Sequence, residues 1–243
     1  MKWTSNGIGT FGDDAERNMW ALIKLCIFDL DGTLIDTLQD LADSTNYALQ
    51  KHGFPQRTLQ EYRAFVSDGL PKLVERALGD NYRPELAPVL ISDYNRYYQV
   101  HYKDHSRVYA GIQKLLQDLR ALGVKLAVVS NKPDDLLQLV VNDMFPLHTF
   151  DMVQGKDDRF PLKPDPAAVN YVLQEMAAEP ADTIYVGDSG ADILTAHNAG
   201  IKVIGVAWGF REAGHLKEGG ADYIAESPDD IMSLVMQNAV LKE

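Results

Sequence analysis

A short apolar run that ends in two acids and a glycine constrains the fold of this chain more than any other feature. The run covers residues 22–28 and predicts a buried strand, which Asp29 and Asp31 follow. Both carboxylates point the same way on extended backbone, because side chains alternate between the two faces. Gly32 then permits a sharp turn, since it has no Cβ to clash at positive φ. Buried acids are costly unless they are paired or bind a cation, so we predict a ligand site at this strand end.

The charge of the chain limits the partners that it can have. Its 243 residues have a formal net charge of −12, and the isoelectric point is about 4.9. Nucleic acids and anionic membranes bind basic surfaces, so neither is an expected partner. A small anionic substrate remains compatible with this charge where a metal ion neutralises the site.

Cysteine content and hydropathy indicate an intracellular protein. The single cysteine, Cys26, lies in the apolar run and excludes a disulfide framework. No stretch reaches the ~20 apolar residues of a membrane-spanning helix. Residues 1–20 lack the apolar core of a signal peptide, and we interpret them as a flexible N-terminal extension. We therefore expect a cytoplasmic protein without a membrane partner, present as a monomer or a homodimer.

Two kinds of periodicity divide the rest of the chain. Helical patterns alone fill residues 38–106, where Thr37 and Asp40 are predicted to form a capping box that opens the first helix. From residue 107 onward strands alternate with helices, which is the pattern of parallel βαβ units. We predict a core from residues 21–37 and 107–243, with an all-helical cap inserted at 38–106. Because the insertion follows the first strand, the cap is expected to overhang the carboxyl edge of the sheet.

Polar residues follow several predicted elements of the core in a regular order. They are Asp29 with Asp31, Ser130 with Asn131, Lys163, and Asp188 with Asp192. Each has an ordinary structural explanation when taken alone: Ser189 and Asp192 fit a capping box, for example, and Lys163 fits a surface lysine. Those explanations do not account for the recurrence of such residues at one edge of the sheet. We therefore predict that they form a single active site.

These residues resemble the four motifs of the haloacid dehalogenase superfamily, in order and over residues 23–243. The matching segments are Asp29-x-Asp31-Gly-Thr33, Ser130-Asn131, Lys163-Pro164 and Gly187-Asp188-x-x-x-Asp192. Residues 129–133, 163–166 and 206–211 more narrowly resemble the phosphoglycolate phosphatase branch. The resemblance implies an α/β fold with a Rossmann-like, doubly wound parallel sheet and an inserted helical cap. It also implies Mg²⁺-dependent phosphoryl transfer through an aspartyl phosphate.

The resemblance and the chemistry of carboxylates together give the acids their expected roles. Asp29 is the expected nucleophile, and Asp31 is the expected general acid and base. An acid at position 31 favours phosphoryl chemistry over dehalogenation, because a halide leaving group needs no proton. Mg²⁺ is the expected cofactor, held by Asp29, Asp188, the main-chain carbonyl of Asp31 and, directly or through water, Asp192.

The remaining core residues are expected to bind the phosphate. Ser130 is expected to donate a hydrogen bond to the phosphoryl oxygens, with Asn131 beside it. Lys163 is expected to offset the negative charge of the phosphate and of Asp29. Thr33 is expected to bond either the phosphate or its own loop.

Substrate choice is expected to depend on the cap. Residues 63–74 resemble the cap loop that faces the active site in related phosphatases, although that loop usually has glycine where this chain has Ser67. Arg63 and Lys72 are the candidates to bind a carboxylate of the substrate. The alternative is that both are ordinary solvated charges on helices.

The predicted function is Mg²⁺-dependent hydrolysis of a small phosphorylated metabolite, with 2-phosphoglycolate favoured. A sugar phosphate mutase similar to β-phosphoglucomutase uses the same residues, and a pyrophosphatase fits the same scaffold. A non-enzymatic binding protein on this fold is the remaining alternative, and the intact acids and lysine count against it. Access of water under the cap decides between the two reactions. Water hydrolyses the aspartyl phosphate in a phosphatase, whereas a mutase transfers the phosphoryl group to its product.

Overall fold

The structure of the protein, a computed structural model, describes residues 23–237. The extension expected at residues 1–20 lies outside the described residues. In chain order the strands are β1 (Leu25–Phe28), β2 (Ile35–Asp36), β3 (Arg107–Val108), β4 (Lys125–Pro133), β5 (Met152–Lys156), β6 (Thr183–Gly187), β7 (Lys202–Val206) and β8 (Tyr223–Ala225). Six of them form one parallel sheet in the order β5-β4-β1-β6-β7-β8, and β2 pairs antiparallel with β3.

Helices cover the sheet and fill the predicted cap. They are α1 (Leu38–Lys51), α2 (Leu59–Phe65), α3 (Leu70–Leu78), α4 (Ala87–His101), α5 (Ile112–Ala121), α6 (Asp134–Met144), α7 (Ala167–Met176), α8 (Gly190–Asn198), α9 (Ala213–Glu218) and α10 (Pro228–Gln237). Short 3₁₀ turns lie at Gly79–Asn81 and Pro180–Asp182. The sheet and its connections confirm the predicted α/β fold, and the exact boundaries of the cap at 38–106 stay a prediction.

The central strand explains why the first apolar run has no polar alternation. All four residues of β1 have no exposed surface. Cys26 and Phe28 belong to the apolar cluster on one face of the sheet, whereas Leu25 and Ile27 belong to the cluster on the other. A parallel strand with helices on both faces must be apolar throughout. The doubly wound arrangement therefore follows from the composition of β1.

The neighbours of β1 bring the polar residues to one edge. Phe28 is level with Val128 of β4 on one side and with Val186 of β6 on the other. The residues that follow these positions in the three strands therefore lie side by side. Strand β4 continues through Ser130 and Asn131 to Pro133, with a shift of register between Val129 and Pro133.

The cap is attached to the core through β2 and β3. Ile35 is paired with Val108 and Asp36 with Arg107, so the chain leaves for the cap and returns from it at one place. Within the cap, α1 packs along α4, and the buried rings of Tyr94, Tyr98 and Tyr102 lie on α4 and just after it. These tyrosines form part of the apolar interior of the cap.

The predicted capping box at the start of α1 is wrong. Thr37 makes no side-chain bond to the helix, and its Oγ1 donates instead to Oδ1 of Asp31, 2.7 Å away. The Asp40 carboxylate accepts from the main-chain N–H groups of His105 and Ser106, at 2.9 and 2.8 Å, and from the Ser106 hydroxyl at 2.6 Å. Asp40 lies on the buried face of α1, where the returning chain offers better donors than the helix end does.

No helix among residues 23–237 combines the length and the apolar content that crossing a bilayer requires.

Replacing Asp40 by alanine tests the importance of this buried carboxylate. The change leaves two main-chain N–H groups and one hydroxyl without their acceptor, and we expect a loss of about 3 kcal/mol in the free energy of unfolding. Denaturant titration measures this loss. Asp43→Ala, on the same helix but only half-buried, is the control and should change stability by less than about 0.5 kcal/mol. Equal stability of the two variants would contradict the assignment.

Candidate active site

A buried lysine lies between two acids at the carboxyl edge of the sheet. The Nζ atom of Lys163 is 2.9 Å from Oδ1 of Asp29 and 2.6 Å from Oδ1 of Asp192. It also lies 3.3 Å from both the Tyr185 hydroxyl and the Val129 carbonyl. All of these side chains are buried, so the charges interact with little screening by water. The structure thus brings together four regions that are distant in sequence, around residues 29, 129, 163 and 185–192.

Burial and mutual repulsion shift the titration of this cluster. Burial is the main cause that raises the pKa of Asp29 to about 7; Lys163 opposes the rise, and the charges of Asp192 and Asp31 add to it. Burial also raises the pKa of Asp188 well above its usual range, with Asp192 and Asp29 contributing. Burial alone would lower the pKa of Lys163, but Asp192 and Asp29 outweigh it and raise that pKa well above the ordinary value.

The acids are suited to a divalent cation. One carboxylate oxygen from each of Asp29, Asp188 and Asp192 lies within 4.8 Å of the others. Among the described residues, Oδ1 of Asp188 is buried and has no hydrogen-bond partner, whereas Oδ2 accepts from the Phe210 N–H at 2.7 Å. A buried, unpaired carboxylate oxygen beside two further carboxylates is costly without a cation, and hard oxygen ligands are those that Mg²⁺ prefers. The donor set therefore fits the predicted metal.

Asp192 has a structural role as well as a place in this cluster. Its Oδ2 accepts from the N–H of Ser189 at 3.0 Å and from the Ser189 hydroxyl at 2.6 Å, which completes a capping box at the start of α8. Its Oδ1 holds Lys163 and accepts from Tyr185 at 3.2 Å. Asp192 therefore caps the helix and also belongs to the acid cluster, while its role in a reaction stays a prediction.

Sequence reasoning missed Lys132, which pairs with Asp31. The Nζ atom of Lys132 is 3.0 Å from each oxygen of the Asp31 carboxylate, and only 3% of its side chain is exposed. The same ammonium lies 4.6 Å from the centroid of the Tyr98 ring in the cap. The available signal was a cation two residues past Ser130, within the segment 129–133.

Ser130 and Asn131 lie beside this pair. Ser130 is buried and accepts a weak bond from the Lys132 N–H at 3.3 Å. Asn131 accepts from the Lys163 N–H at 2.7 Å and donates to the Ser67 carbonyl at 3.1 Å, so it connects the core to the cap.

Both Ser130 and Asn131 line a cavity under the cap with Asp29, Asp31, Lys132 and Lys163. Thr33 is not among the lining residues. Its hydroxyl is buried and has no partner among the residues that the structure describes.

The structure does not bring Arg63 and Lys72 to this cavity. Both side chains are exposed, and Lys72 pairs with Glu75 at 2.8 Å. The cap contributes other residues to the lining, most of them apolar: Leu41, Val66, Ser67, Gly69, Leu70, Leu73 and Tyr94.

A loop after β7 contacts Asp188 and the turn after β1. Trp208 donates from its indole N–H to the Thr33 carbonyl at 3.0 Å, and Phe210 donates to Asp188 as described above. Gly209 lies between them, and a Cβ atom there would be 2.4 Å from Cβ of Asp188. Only glycine permits so close an approach.

The next residue of the same loop contacts the cap. The Arg211 guanidinium donates to main-chain carbonyls at the end of α2, namely those of Arg63, Ala64 at 3.3 Å and Val66 at 3.1 Å. A cation at a helix C-terminus interacts favourably with its unpaired carbonyls. The loop 208–211 therefore connects the cap with the acid cluster.

The fold is a parallel α/β sheet under an inserted helical cap, with acids and a lysine at the carboxyl edge of the sheet. The chain belongs to the haloacid dehalogenase-like hydrolase family, whose model matches residues 26–206.

Curated relatives agree with this assignment. The chain is 32% identical to the phosphoglycolate phosphatase of Vibrio vulnificus over 223 residues, which cover 89% of this chain and 98% of the relative. It is also 32% identical to the phosphoglycolate phosphatase of Haemophilus influenzae over 220 residues, with 87% and 98% covered.

Solved structures show the same architecture. A protein described as a predicted phosphoglycolate phosphatase from Haemophilus somnus superposes with a TM-score of 0.82 at 30% identity, over 88% of this chain and 98% of that chain. A predicted phosphatase from Clostridium acetobutylicum superposes with a TM-score of 0.81 at 28% identity, over 89% and 100%.

Replacing Asp188 by asparagine tests the electrostatic cost of the acid cluster. The folded-state pKa of Asp188 is raised, so the unfavourable contribution is absent below the unfolded pKa, grows as the pH rises from the unfolded pKa to the folded pKa, and is fully present above the folded pKa. We expect Asp188→Asn to raise the Tm of the metal-free protein at pH 8, by about 2–4 °C for each kcal/mol gained, and to do so much less at pH 4. Thermal unfolding in a chelating buffer measures both.

Asp222→Asn is the matched control for this experiment. Lys202, Val203 and His197 bond Asp222, and these bonds outweigh burial and lower its pKa. Removal of this charge should therefore lower the Tm at pH 8. A Tm for Asp188→Asn that falls at pH 8 would refute the repulsion described here.

Proposed function

We propose that this protein is a Mg²⁺-dependent phosphatase that hydrolyses a small phosphorylated metabolite through an aspartyl phosphate, with 2-phosphoglycolate as the favoured substrate. The observation that supports it most is the pairing of buried Asp29 with Lys163 in the same cavity as Asp31 and Lys132. The names of the relatives at 32% identity support the choice of substrate.

The first step would transfer the phosphoryl group to Asp29. A carboxylate oxygen of Asp29 attacks phosphorus, the bond from phosphorus to the ester oxygen breaks, and Asp31 gives a proton to the departing oxygen. Lys163 offsets the charge on Asp29 and on the phosphoryl oxygens. Ser130 is proposed to donate to those oxygens. Thr33 lies outside the lining of the cavity, so its hydroxyl would reach them only after a local movement.

The second step would release the phosphate. Water attacks phosphorus of the aspartyl phosphate, Asp31 takes a proton from this water, and the bond from phosphorus to Asp29 breaks. The free Asp29 carboxylate and inorganic phosphate result. Thr37 and Lys132 hold the Asp31 carboxylate in place through its bonds at 2.7 Å and 3.0 Å. Asn131 would fix Lys163 and the cap loop during both steps.

Asp29, Asp188 and the main-chain carbonyl of Asp31 are the proposed ligands of Mg²⁺. Bound there, the ion would neutralise negative charge on the phosphoryl group and on the acids. Both oxygens of Asp192 already accept hydrogen bonds, so we propose that it supports the ion through a water molecule while holding Lys163. Arg63 and Lys72 would reach a substrate only after a movement of the cap.

The first test is release of phosphate from a panel of esters. With Mg²⁺ present, we expect kcat/KM for 2-phosphoglycolate to exceed that for other small phosphomonoesters and for pyrophosphate by about tenfold or more. Asp29→Asn should remove turnover completely, because the amide is not a nucleophile for this step. β-Glucose 1-phosphate is also checked for isomerisation, since a mutase would isomerise it without releasing phosphate. Measurable steady-state turnover by Asp29→Asn would exclude the aspartyl phosphate.

The second test separates the two roles of the acids. Asp31→Asn should still form the aspartyl phosphate from an activated aryl phosphate, whose leaving group needs no proton, but should lose about 10²–10⁴-fold in its breakdown. A burst of phenolate followed by slow turnover, together with phosphate bound to the protein after acid quench, is the expected result. Asp36→Asn, an exposed acid on β2, is the control and should behave as the unchanged protein. Rapid breakdown of the aspartyl phosphate in Asp31→Asn would show that another residue is the general base.

A further inference from the structure

The cap loop between α2 and α3 contains a strained serine. Ser67 has a φ of +99°, a region that side chains other than glycine rarely adopt. The two other described non-glycine residues with positive φ, His148 and Ala177, lie at +63° and +48°, close to the ordinary left-handed region. Glycine would adopt this conformation without a clash. Serine here therefore has an energetic cost.

Core residues hold the strained loop on both sides. The Ser67 carbonyl accepts from Nδ2 of Asn131 at 3.1 Å, and the Val66 carbonyl accepts from Arg211 at 3.1 Å. Gly69 follows with a φ of +84° and lies against Leu162 of the core. Strain persists where the surroundings determine the backbone in this way, and such residues occur frequently at functional sites.

The Ser67 hydroxyl has a second cost. Its Oγ atom is buried, and it has no hydrogen-bond partner among the described residues. Serine in a turn commonly bonds a nearby main-chain group, which would explain its presence, but Ser67 makes no such bond within the described chain. The residue lines the cavity that also contains Asp29, Ser130 and Lys132. A buried donor without an acceptor, on a residue that lines such a cavity, is suited to a ligand.

We infer that Ser67 determines substrate specificity: its hydroxyl donates a hydrogen bond to an oxygen acceptor on the leaving-group side of the phosphate ester. The ammonium groups of Lys132 and Lys163 line the same cavity beside the acids with which they pair, and a carboxylate would attract them more strongly than a neutral hydroxyl would, so an anionic acceptor is favoured. The inference rests on the proposed phosphatase function and narrows its substrates to small esters with such an acceptor. It assigns recognition to a residue of the cap loop that the core holds in place, and not to the exposed Arg63 and Lys72.

The test compares three esters of similar size in variants of Ser67. 2-Phosphoglycolate has a carboxylate, 2-hydroxyethyl phosphate has a hydroxyl, and ethyl phosphate has no acceptor. In Ser67→Gly we expect the ratio of kcat/KM for 2-phosphoglycolate to that for ethyl phosphate to fall about tenfold or more, mainly through KM. The same variant should unfold at a higher temperature, because glycine removes the strain.

Two further variants separate the hydroxyl from the backbone. Ser67→Ala keeps the Cβ atom and should lose the same specificity with a smaller gain in Tm. Ser92→Ala, an exposed serine on α4, should change neither the ratio nor the KM values. The ratio of kcat/KM for 2-hydroxyethyl phosphate to that for ethyl phosphate is measured in the same variants. If it falls as much as the ratio for 2-phosphoglycolate, the result would support a neutral acceptor as the ligand of Ser67.

The other outcomes overturn the inference. If kcat/KM falls equally for all three esters in Ser67→Gly, the effect lies in the phosphoryl step or in the fold. If the ratio is unchanged while the Tm rises, Ser67 is strained but does not determine specificity. A wild-type preference for ethyl phosphate over both acceptor-bearing esters would overturn this inference while the phosphatase stands. Absence of wild-type turnover on every ester would overturn the proposed function itself.

Discussion

The ion pairs of one buried lysine make the rest of the site possible. Three acids meet at the end of the central strand, and burial makes their negative charges unfavourable without cations. Lys163 supplies one positive charge, and its ammonium lies within 2.9 Å of two of the acids. The two acids in turn stabilise the charged form of the lysine. Tyr185 and Ser189 form hydrogen bonds with Asp192, and Asn131 forms one with Lys163. The surrounding segments therefore hold the lysine and its acids in the positions where their charges offset each other.

Much of the fold and of the site was predictable because it depends on local patterns and one topological rule. The uninterrupted apolar composition of β1 requires helices on both faces, and the order of the polar residues along the core follows from the shared edge of parallel strands. The capping box of Ser189 and Asp192 was readable from a spacing of three residues. Each of these signals lies within a few positions of the residue that it concerns.

The features that the sequence did not reveal depend on contacts between distant segments. Asp40 and Ser106 are 66 positions apart, and Lys132 and Asp31 are 101 positions apart. The spacing of Thr37 and Asp40 suggested a local partner, but burial of that helix face offered a distant one. The surface orientation of Arg63 and Lys72 likewise depends on how the cap packs on the core. The packing of the cap on the core cannot be read directly from a single sequence.

The short pair of strands at the base of the cap has a consequence for the variation of such enzymes. The chain enters and leaves the cap through residues that face each other, Ile35 opposite Val108 and Asp36 opposite Arg107. An inserted segment whose ends adjoin in this way can be lengthened, shortened or exchanged without a change in the hydrogen bonds of the six-stranded sheet. The core, which carries the acids and the lysine, and the helical cap can therefore diverge in sequence at different rates, because only two residue pairs join them.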